Sequence, residues 1–210
     1  MQIILGVLTE GLVYAILSLG VYITYKILDF PDLSVDGTFP LGAAVTVAMI
    51  LLGVPIPLAM LVATAAGVIF GVVTGIINVK LKIRDLISGI IVMTALYSVN
   101  LRIAGKANVP LFSKQTLFEN DVLAKIFPEG MKQYSNLIIL VIIVLIAKIL
   151  LDFYLKTKSG FLLRAVGDND VLVTSLAKDK GNVKILGLAI ANGLAALAGS
   201  VYCQMNGFFE

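Results

Sequence analysis

Long runs of apolar residues alternate with short polar stretches along this 210-residue chain. A helix needs about 20 apolar residues to cross a bilayer, and lipid accepts only backbones whose polar groups are paired internally. The pattern therefore predicts an all-α, polytopic transmembrane helical bundle, with one membrane domain over residues 1–210 and about six spans. The predicted spans are Ile3–Tyr25, Phe39–Leu52, Ile56–Val79, Leu86–Ile103, Leu137–Leu155 and Ile185–Met205.

The second predicted span is too short to cross, because its apolar part covers about 14 residues, or about 21 Å of helix. Either the bilayer thins there, or the helix begins earlier and draws four polar residues toward membrane depth: Asp32, Ser34, Asp36 and Thr38. Gly37 and Pro40 disfavour a continuous helix, so we expect a broken one. Two interpretations stay open: polar groups lining a transport route, or a cytoplasmic turn whose aspartates cap a helix that Pro31 starts.

Two predicted spans carry small residues at every fourth position. Close approach of helices in lipid depends on packing, and small side chains permit it, so we expect both helices to pack tightly within the bundle. The alternative is that glycine and alanine are simply common in membrane helices. The helix-packing positions are Ala63, Gly67, Gly71 and Gly75 in the third span, and Gly187, Ala191, Ala195 and Gly199 in the sixth.

Basic residues indicate the orientation of the chain. With the N-terminus outside, ten lysine and arginine residues lie on the inner side, at Lys26, in Lys80–Arg84 and in Lys156–Lys184, and five lie on the outer side. The positive-inside rule favours this arrangement. The long outer loop is expected to contain a short surface helix over Val122–Phe127.

Few polar residues remain inside the predicted spans. Tyr97 and Asn100 are three positions apart on one helix face, so they either point into a cavity or bond to a neighbouring helix. Glu10 is expected near the outer interface or facing the bundle, because a charge at the bilayer centre is costly. Lys148 and Asp152 are one turn apart and predict a surface ion pair.

A mostly basic segment, Lys156–Lys184, separates the last two spans. Gly167 is expected to end a short turn, and Asp168 or Asn169 to cap a new helix with Asp170 in its first turn. One face of that helix would carry Val171, Leu172, Ser175 and Leu176. Such a helix either lies on the membrane surface or presents this face to a soluble partner.

Composition excludes several kinds of chemistry. The chain has no histidine and a single cysteine, which argues against metal sites and disulfides, and no glycine-rich phosphate loop followed by Lys and Ser or Thr is present. No cofactor is expected on the chain, which is not expected to be an enzyme. A net charge of +3, without a basic stripe, argues against nucleic-acid binding.

Three stretches resemble the permease subunits of ABC importers of the ribose and branched-chain amino acid class. They are LGVYITYKILDFPDLSVDGTFPLGAAV, ISGIIVMTALYSVNLRIAGKANVPLF and SGFLLRAVGDNDVLVTSLAKDKGNVKILGLAIANGLAALAGSV. The likeness is greatest to permeases paired with tryptophan- or tyrosine-type solute-binding proteins, and covers most of the chain. The third stretch resembles the cytoplasmic coupling loop of that class, with Arg164, Ala165, Gly167, Asn169, Gly193 and Gly199 at family-like positions.

The resemblance implies a homodimer of permease chains in a bacterial-type plasma membrane. It also implies two cytoplasmic ABC ATPase subunits, which would bind the ATP and Mg, and an extracytoplasmic solute-binding protein. The ATPase-coupling residues would be Arg164, Gly167, Asp168, Asn169, Asp170, Leu172, Ser175 and Leu176. The residues near the translocation pathway would be Asp32, Ser34, Asp36 and Thr38, to which the shared helix face adds Tyr97 and Asn100.

The favoured function is the membrane-spanning subunit of an ATP-driven importer for a small polar solute, with an amino acid as the favoured class and aromatic amino acids as one candidate within it. Members of this class normally continue with further apolar spans, so we expect this chain to lack C-terminal ones. Two alternatives remain. An ion-coupled secondary transporter needs intramembrane carboxylates, and a non-transporting membrane scaffold needs only apolar helices.

Overall fold

The computed structural model describes residues 2–112, 114–119, 132–168 and 180–209. Within these residues the chain forms seven α-helices and a two-stranded antiparallel sheet, Val109–Pro110 (β1) with Phe208–Phe209 (β2). The helices are Gln2–Val21 (α1), Val35–Leu51 (α2), Ile56–Val79 (α3), Asp85–Ala104 (α4), Lys132–Leu155 (α5), Lys158–Asp168 (α6) and Lys180–Asn206 (α7).

The predicted all-α membrane bundle is confirmed. Helices α1, α3, α4, α5 and α7 are long and apolar enough to cross a bilayer, and α1 continues to Ile27 through a π-helical turn, Tyr22–Ile27. Helix α2, with 17 residues, is the shorter apolar helix. It starts at Val35, four residues before the predicted Phe39. Of the two explanations offered for its short apolar run, the earlier helix start is therefore the one observed.

Helix α7 is the centre of the bundle. It packs against α1, α2, α3 and α6, and most of its residues are buried. A Cβ atom on Gly67 of α3 would lie 2.5 Å from the Cβ of Ala196, so only a glycine permits this approach. The small residues on α7 meet other elements: Gly187 contacts Leu28, and Gly199 contacts the backbone of Phe39. The two small-residue stripes therefore do not face each other, although α3 and α7 pack together.

The helix break lies before Gly37 and Pro40, so the prediction that these two residues interrupt the helix is wrong. Both lie inside α2. Proline has no N–H, so Pro40 removes only the bond to the carbonyl of Asp36, and the helix continues because its next turns are buried in the bundle. The interruption covers residues 28–34, where Asp29 adopts a φ of 50°.

Residues 28–34 form a re-entrant return. At its start, Leu28 packs against Gly187 near the inner end of α7. At its end, the Ser34 hydroxyl lies 3.1 Å from the Oδ1 of Asn192, near the middle of that 27-residue helix. The chain thus turns back into the bundle before α2 begins, and the first turn of α2 lies at about half the depth of α7.

Beside the N-terminal half of α7, Gly167 does not end a short turn as predicted. It lies in the last turn of the 11-residue helix α6, which ends at Asp168. The predicted helix beginning near Asn169, with Asp170, Leu172, Ser175 and Leu176, lies outside the described residues, as does the predicted surface helix Val122–Phe127.

Candidate functional site

A polar network joins the re-entrant segment to the middle of α7. The carboxamide Nδ2 of Asn192 donates to Asp32 Oδ2 at 2.9 Å and to the carbonyl of Leu188 at 3.0 Å. The Oδ1 of the same side chain accepts from the hydroxyl of Thr38 at 2.8 Å and lies 3.1 Å from that of Ser34. One carboxamide therefore bonds to side chains on both sides of the start of α2.

The carboxylate of Asp32 is held by this network. Its Oδ1 accepts from the backbone N–H of Ser34 at 2.8 Å and lies 2.6 Å from the Ser34 hydroxyl. Burying a carboxylate is costly unless hydrogen bonds replace the lost water, and three donors do so here. Gly89 of α4 makes room for the turn, because a Cβ there would lie 2.7 Å from the nitrogen of Leu33. The network thus fixes where α2 starts.

An open groove of about 630 Å³ lies between α2 and α4, beside this network. Its lining residues are Asp36, Gly37, Pro40, Met93, Thr94, Tyr97, Asn100, Leu101, Ala107 and Phe209. The side chain of Asp36 is exposed and that of Tyr97 is 71% exposed. The antiparallel pairing of β1 with β2 brings Phe209 to the groove. The groove therefore combines polar groups from both helices with an apolar wall.

Asn100 has an unused acceptor. Its Nδ2 donates to the carbonyl oxygen of Gly37 at 3.1 Å, and its buried Oδ1 has no hydrogen-bond partner among the described residues. The carboxamide cannot be turned over, because its oxygen would then face the oxygen of Gly37. Buried acceptors in native proteins normally have a partner, so this one calls for a water molecule or a bound solute.

Helix α6 packs directly on the start of the re-entrant segment. Leu163 and Val166 are buried in one cluster with Ile27, Leu28 and residues of α5 and α7. Gly167 touches the backbone of Ile27 so closely that a Cβ atom there would overlap the Ile27 carbonyl. Arg164 and Asp168 are exposed on the opposite side. Helix α6 is therefore in direct contact with residues 27 and 28, which lie five and four positions before Asp32.

The predicted pathway residues fall into two groups. Asp32, Ser34 and Thr38 belong to the network, in which Ser34 and Thr38 are fully buried. Asp36, Tyr97 and Asn100 line the groove. A role in transport remains a prediction for both groups.

Some residues of the site were not among the predicted positions. A carboxamide in the middle of a long apolar helix predicts a hydrogen bond to a neighbouring helix, which Asn192 makes to Thr38, but it does not predict a place in the pathway. Thr94 is one helical turn from Tyr97 and could have been found from that spacing. Ala107 and Phe209 carry no such signal, because only the fold brings them to the groove.

Comparisons with known proteins place the chain in a protein family. Residues 3–210 match the model of the branched-chain amino acid transport system permease component. The chain is similar to the tyrosine transport system permease protein of Clostridioides difficile, with 46% identity over 99% of this chain and 66% of that protein. It is also similar to an uncharacterised protein of Rickettsia prowazekii, with 37% identity over 100% of this chain and 71% of that protein.

A guanosine ABC transporter permease protein of Bacillus subtilis is 28% identical over 70% of this chain and 42% of that protein. No solved structure matches the chain. The chain thus spans about two thirds of the length of the first two relatives. With the family match over nearly its whole length and five helices of membrane-crossing length, this chain belongs to the family of branched-chain amino acid transport system permease components and is a multi-pass protein of the plasma membrane.

Proposed function

We propose that the chain is the membrane-spanning subunit of an ATP-driven importer and forms the pathway for an amino acid with an aromatic side chain. The observation that carries the proposal is the 46% identity, over 99% of the chain, to a permease of a tyrosine transport system. The groove supports it, because 630 Å³ falls within the size range of small-molecule sites.

In this proposal the force for transport enters through α6. Two cytoplasmic ATPase subunits bind and hydrolyse ATP with Mg, and contact the inner face beginning at Arg164 and Asp168, which are exposed. Movement of α6 shifts Ile27 through the close contact with Gly167. The shift continues along the re-entrant segment to Asp32 and Asn192, and so changes the position of α2, which forms one wall of the groove.

The proposed assembly contains two copies of the permease and an extracytoplasmic solute-binding protein that delivers the amino acid to the outer end. Helix α2 is the shorter apolar helix and begins at about half the depth of α7, which is consistent with a water-accessible region beside it. Such a region between two copies would give the exposed Asp36 an aqueous surrounding.

The test is reconstitution of the full-length permease with its ATPase and solute-binding protein in lipid vesicles. We expect uptake of radiolabelled tyrosine only when ATP is supplied on the ATPase side, and none with an ATPase variant that binds but does not hydrolyse ATP. The partly buried carboxylate of Asp32 makes an ion-coupled transporter the second candidate. Uptake driven by a sodium or proton gradient without ATP would establish that candidate and contradict ours.

A further inference from the structure

The face of the bundle that holds the groove is unlike its lipid-facing sides. On α5 the exposed residues include apolar ones, for example Ile142, Leu145 and Leu150, and its exposed Lys148 and Asp152 neutralise each other in an ion pair. On the groove face the exposed residues include the acid Asp36 and the 71% exposed Tyr97. Hydrocarbon does not solvate a carboxylate, so this face must be covered by water, by protein or by a polar solute.

The groove lies deep in the membrane-spanning part. Gly37, which follows Asp36, packs against Met93 and Leu96 near the middle of the 20-residue helix α4. A Cβ atom on Gly37 would lie 3.0 Å from atoms of both residues. Asp36 is therefore about half a membrane away from either headgroup layer.

The polar groups of the groove attract hydrogen-bond donors and positive charge. The carboxylate of Asp36 has no side-chain partner within the described ranges, and neither has the Oδ1 of Asn100. No lysine or arginine is among the described residues that line the groove. An ammonium group offers three hydrogen-bond donors and a positive charge. It therefore complements the carboxylate of Asp36 and the Oδ1 of Asn100.

Apolar and aromatic side chains complete the lining of the groove. They are Met93, Tyr97 and Leu101 on α4, the helix that also carries Asn100, and Phe209 on β2. Aromatic rings and thioethers form favourable contacts with aromatic rings. The groove thus offers acceptors and an aromatic-lined surface within one volume of about 630 Å³.

We propose that this groove binds the transported amino acid by its ammonium group, with Asp36 and Asn100 as acceptors and Tyr97 against the side chain. The inference rests on the proposed function and specifies how the pathway selects its solute. It makes the amine the recognised end and leaves the carboxylate of the solute unrecognised in this groove. The ammonium of a phosphatidylethanolamine headgroup has the same chemistry, but such headgroups lie at the membrane surface, whereas Asp36 is at mid-depth.

The test uses a cysteine reporter in the groove of the full-length permease, assembled with its ATPase subunits in vesicles of phosphatidylglycerol. Thr94→Cys, made in a Cys203→Ser background, is alkylated by N-ethylmaleimide, a neutral reagent that does not bias the result by charge. Leu101→Cys on the same wall is the second reporter. We expect tyramine, which lacks the carboxylate, to slow alkylation, and 3-(4-hydroxyphenyl)propionate, which lacks the amine, to leave it unchanged.

Substitution of Asp36 tests the acceptor directly. We expect Asp36→Asn to raise the half-protective concentration of tyramine about tenfold or more, since a hydrogen bond to a charged group contributes at least about that factor. Asp36→Glu should retain protection. Asp29→Asn is the matched control, because Asp29 is also exposed but does not line the groove, and asparagine tolerates its φ of 50°.

Three results would overturn the inference: equal protection by both analogues, unchanged protection in Asp36→Asn, or protection caused by phosphatidylethanolamine in the vesicles without solute. Uptake of tyrosine in the same vesicles, once the solute-binding protein is added, separates the two proposals. ATP-dependent uptake together with any of the three results removes the ammonium assignment and leaves the importer. Uptake driven by an ion gradient alone removes the importer.

Discussion

At the scale of single residues, Asn192 has the most consequential position in the chain. Its carboxamide uses both nitrogen and oxygen to hold Asp32 and Thr38, which lie on either side of the start of α2. Thr38 and Asn192 are 154 positions apart, so this contact is made only when the bundle is assembled. Ser34 makes no cap bond, so the start of α2 is held by the Asp32 carboxylate, which accepts from the Ser34 N–H, together with this long-range contact.

Replacement of Asn192 by leucine should therefore destabilise the protein strongly. Asn192→Leu removes two hydrogen bonds, to Asp32 and Thr38, and leaves the partly buried carboxylate of Asp32 with fewer donors, for which we expect a loss of about 3 kcal/mol in the free energy of unfolding. Reversible unfolding in detergent mixtures, followed by circular dichroism, measures it. Ser18→Ala is the control, because Ser18 is exposed and bonds only within its own helix; a loss no larger than that of the control would contradict the importance of the network.

At the scale of elements, the hydropathy pattern predicts most of the membrane helices. The bounds of α3 agree with the prediction, because Pro55 and the polar turn after Val79 mark both ends locally. The start of α2 could not be placed in this way. Gly37 and Pro40 are local signals for a break, and they are overridden by burial of the helix against α7 and by the bonds to Asn192. Tertiary contacts, which sequence reasoning does not contain, decide such positions.

Two glycines give a prediction at this scale. The Cβ atom that a Gly→Ala substitution adds would overlap backbone at one of them and would lie in open space at the other. A Cβ atom on Gly199 would overlap the carbonyl of Phe39, whereas nothing lies within 4 Å of one on Gly11. We expect Gly199→Ala to lower the free energy of unfolding by about 1–3 kcal/mol, and Gly11→Ala to leave it equal or slightly higher. Parallel unfolding measurements on the two variants decide; similar values would show that α2 and α7 do not approach so closely.

At the scale of the whole molecule, α6 and the groove are connected by a short path through the chain. Helix α6 touches Ile27, the re-entrant segment leads to Asp32, and the network leads to α2. The sequence indicates both ends of this path, the segment that holds α6 and the segment that leads into α2, because each is a polar interruption between apolar runs. The contact between them could not be predicted, since nothing near Gly167 in sequence indicates that it lies on the backbone of Ile27.

That contact gives a prediction for the complete transporter. Gly167→Ala inserts a methyl group against the Ile27 carbonyl, so α6 must move away from the re-entrant segment. In the reconstituted system we expect ATP hydrolysis to continue while the amount of tyrosine imported per ATP falls several-fold, because changes along a coupling path alter coupling by about 0.5–2 kcal/mol. Paired assays of phosphate release and uptake measure the ratio.

The matched control is Gly6→Ala on α1. It adds the same methyl group at a position where nothing lies within 4 Å, so it disturbs no contact with α6. It should keep the ratio of the unchanged protein. Retention of the ATPase subunits by the Gly167→Ala permease, checked by co-purification, distinguishes lost coupling from lost assembly. If the ratio of tyrosine imported to ATP hydrolysed is unchanged while the ATPases remain bound, force does not enter through Ile27. The connection from α6 to the groove must then follow another element, and α7 is the first candidate because it packs against both α6 and α2.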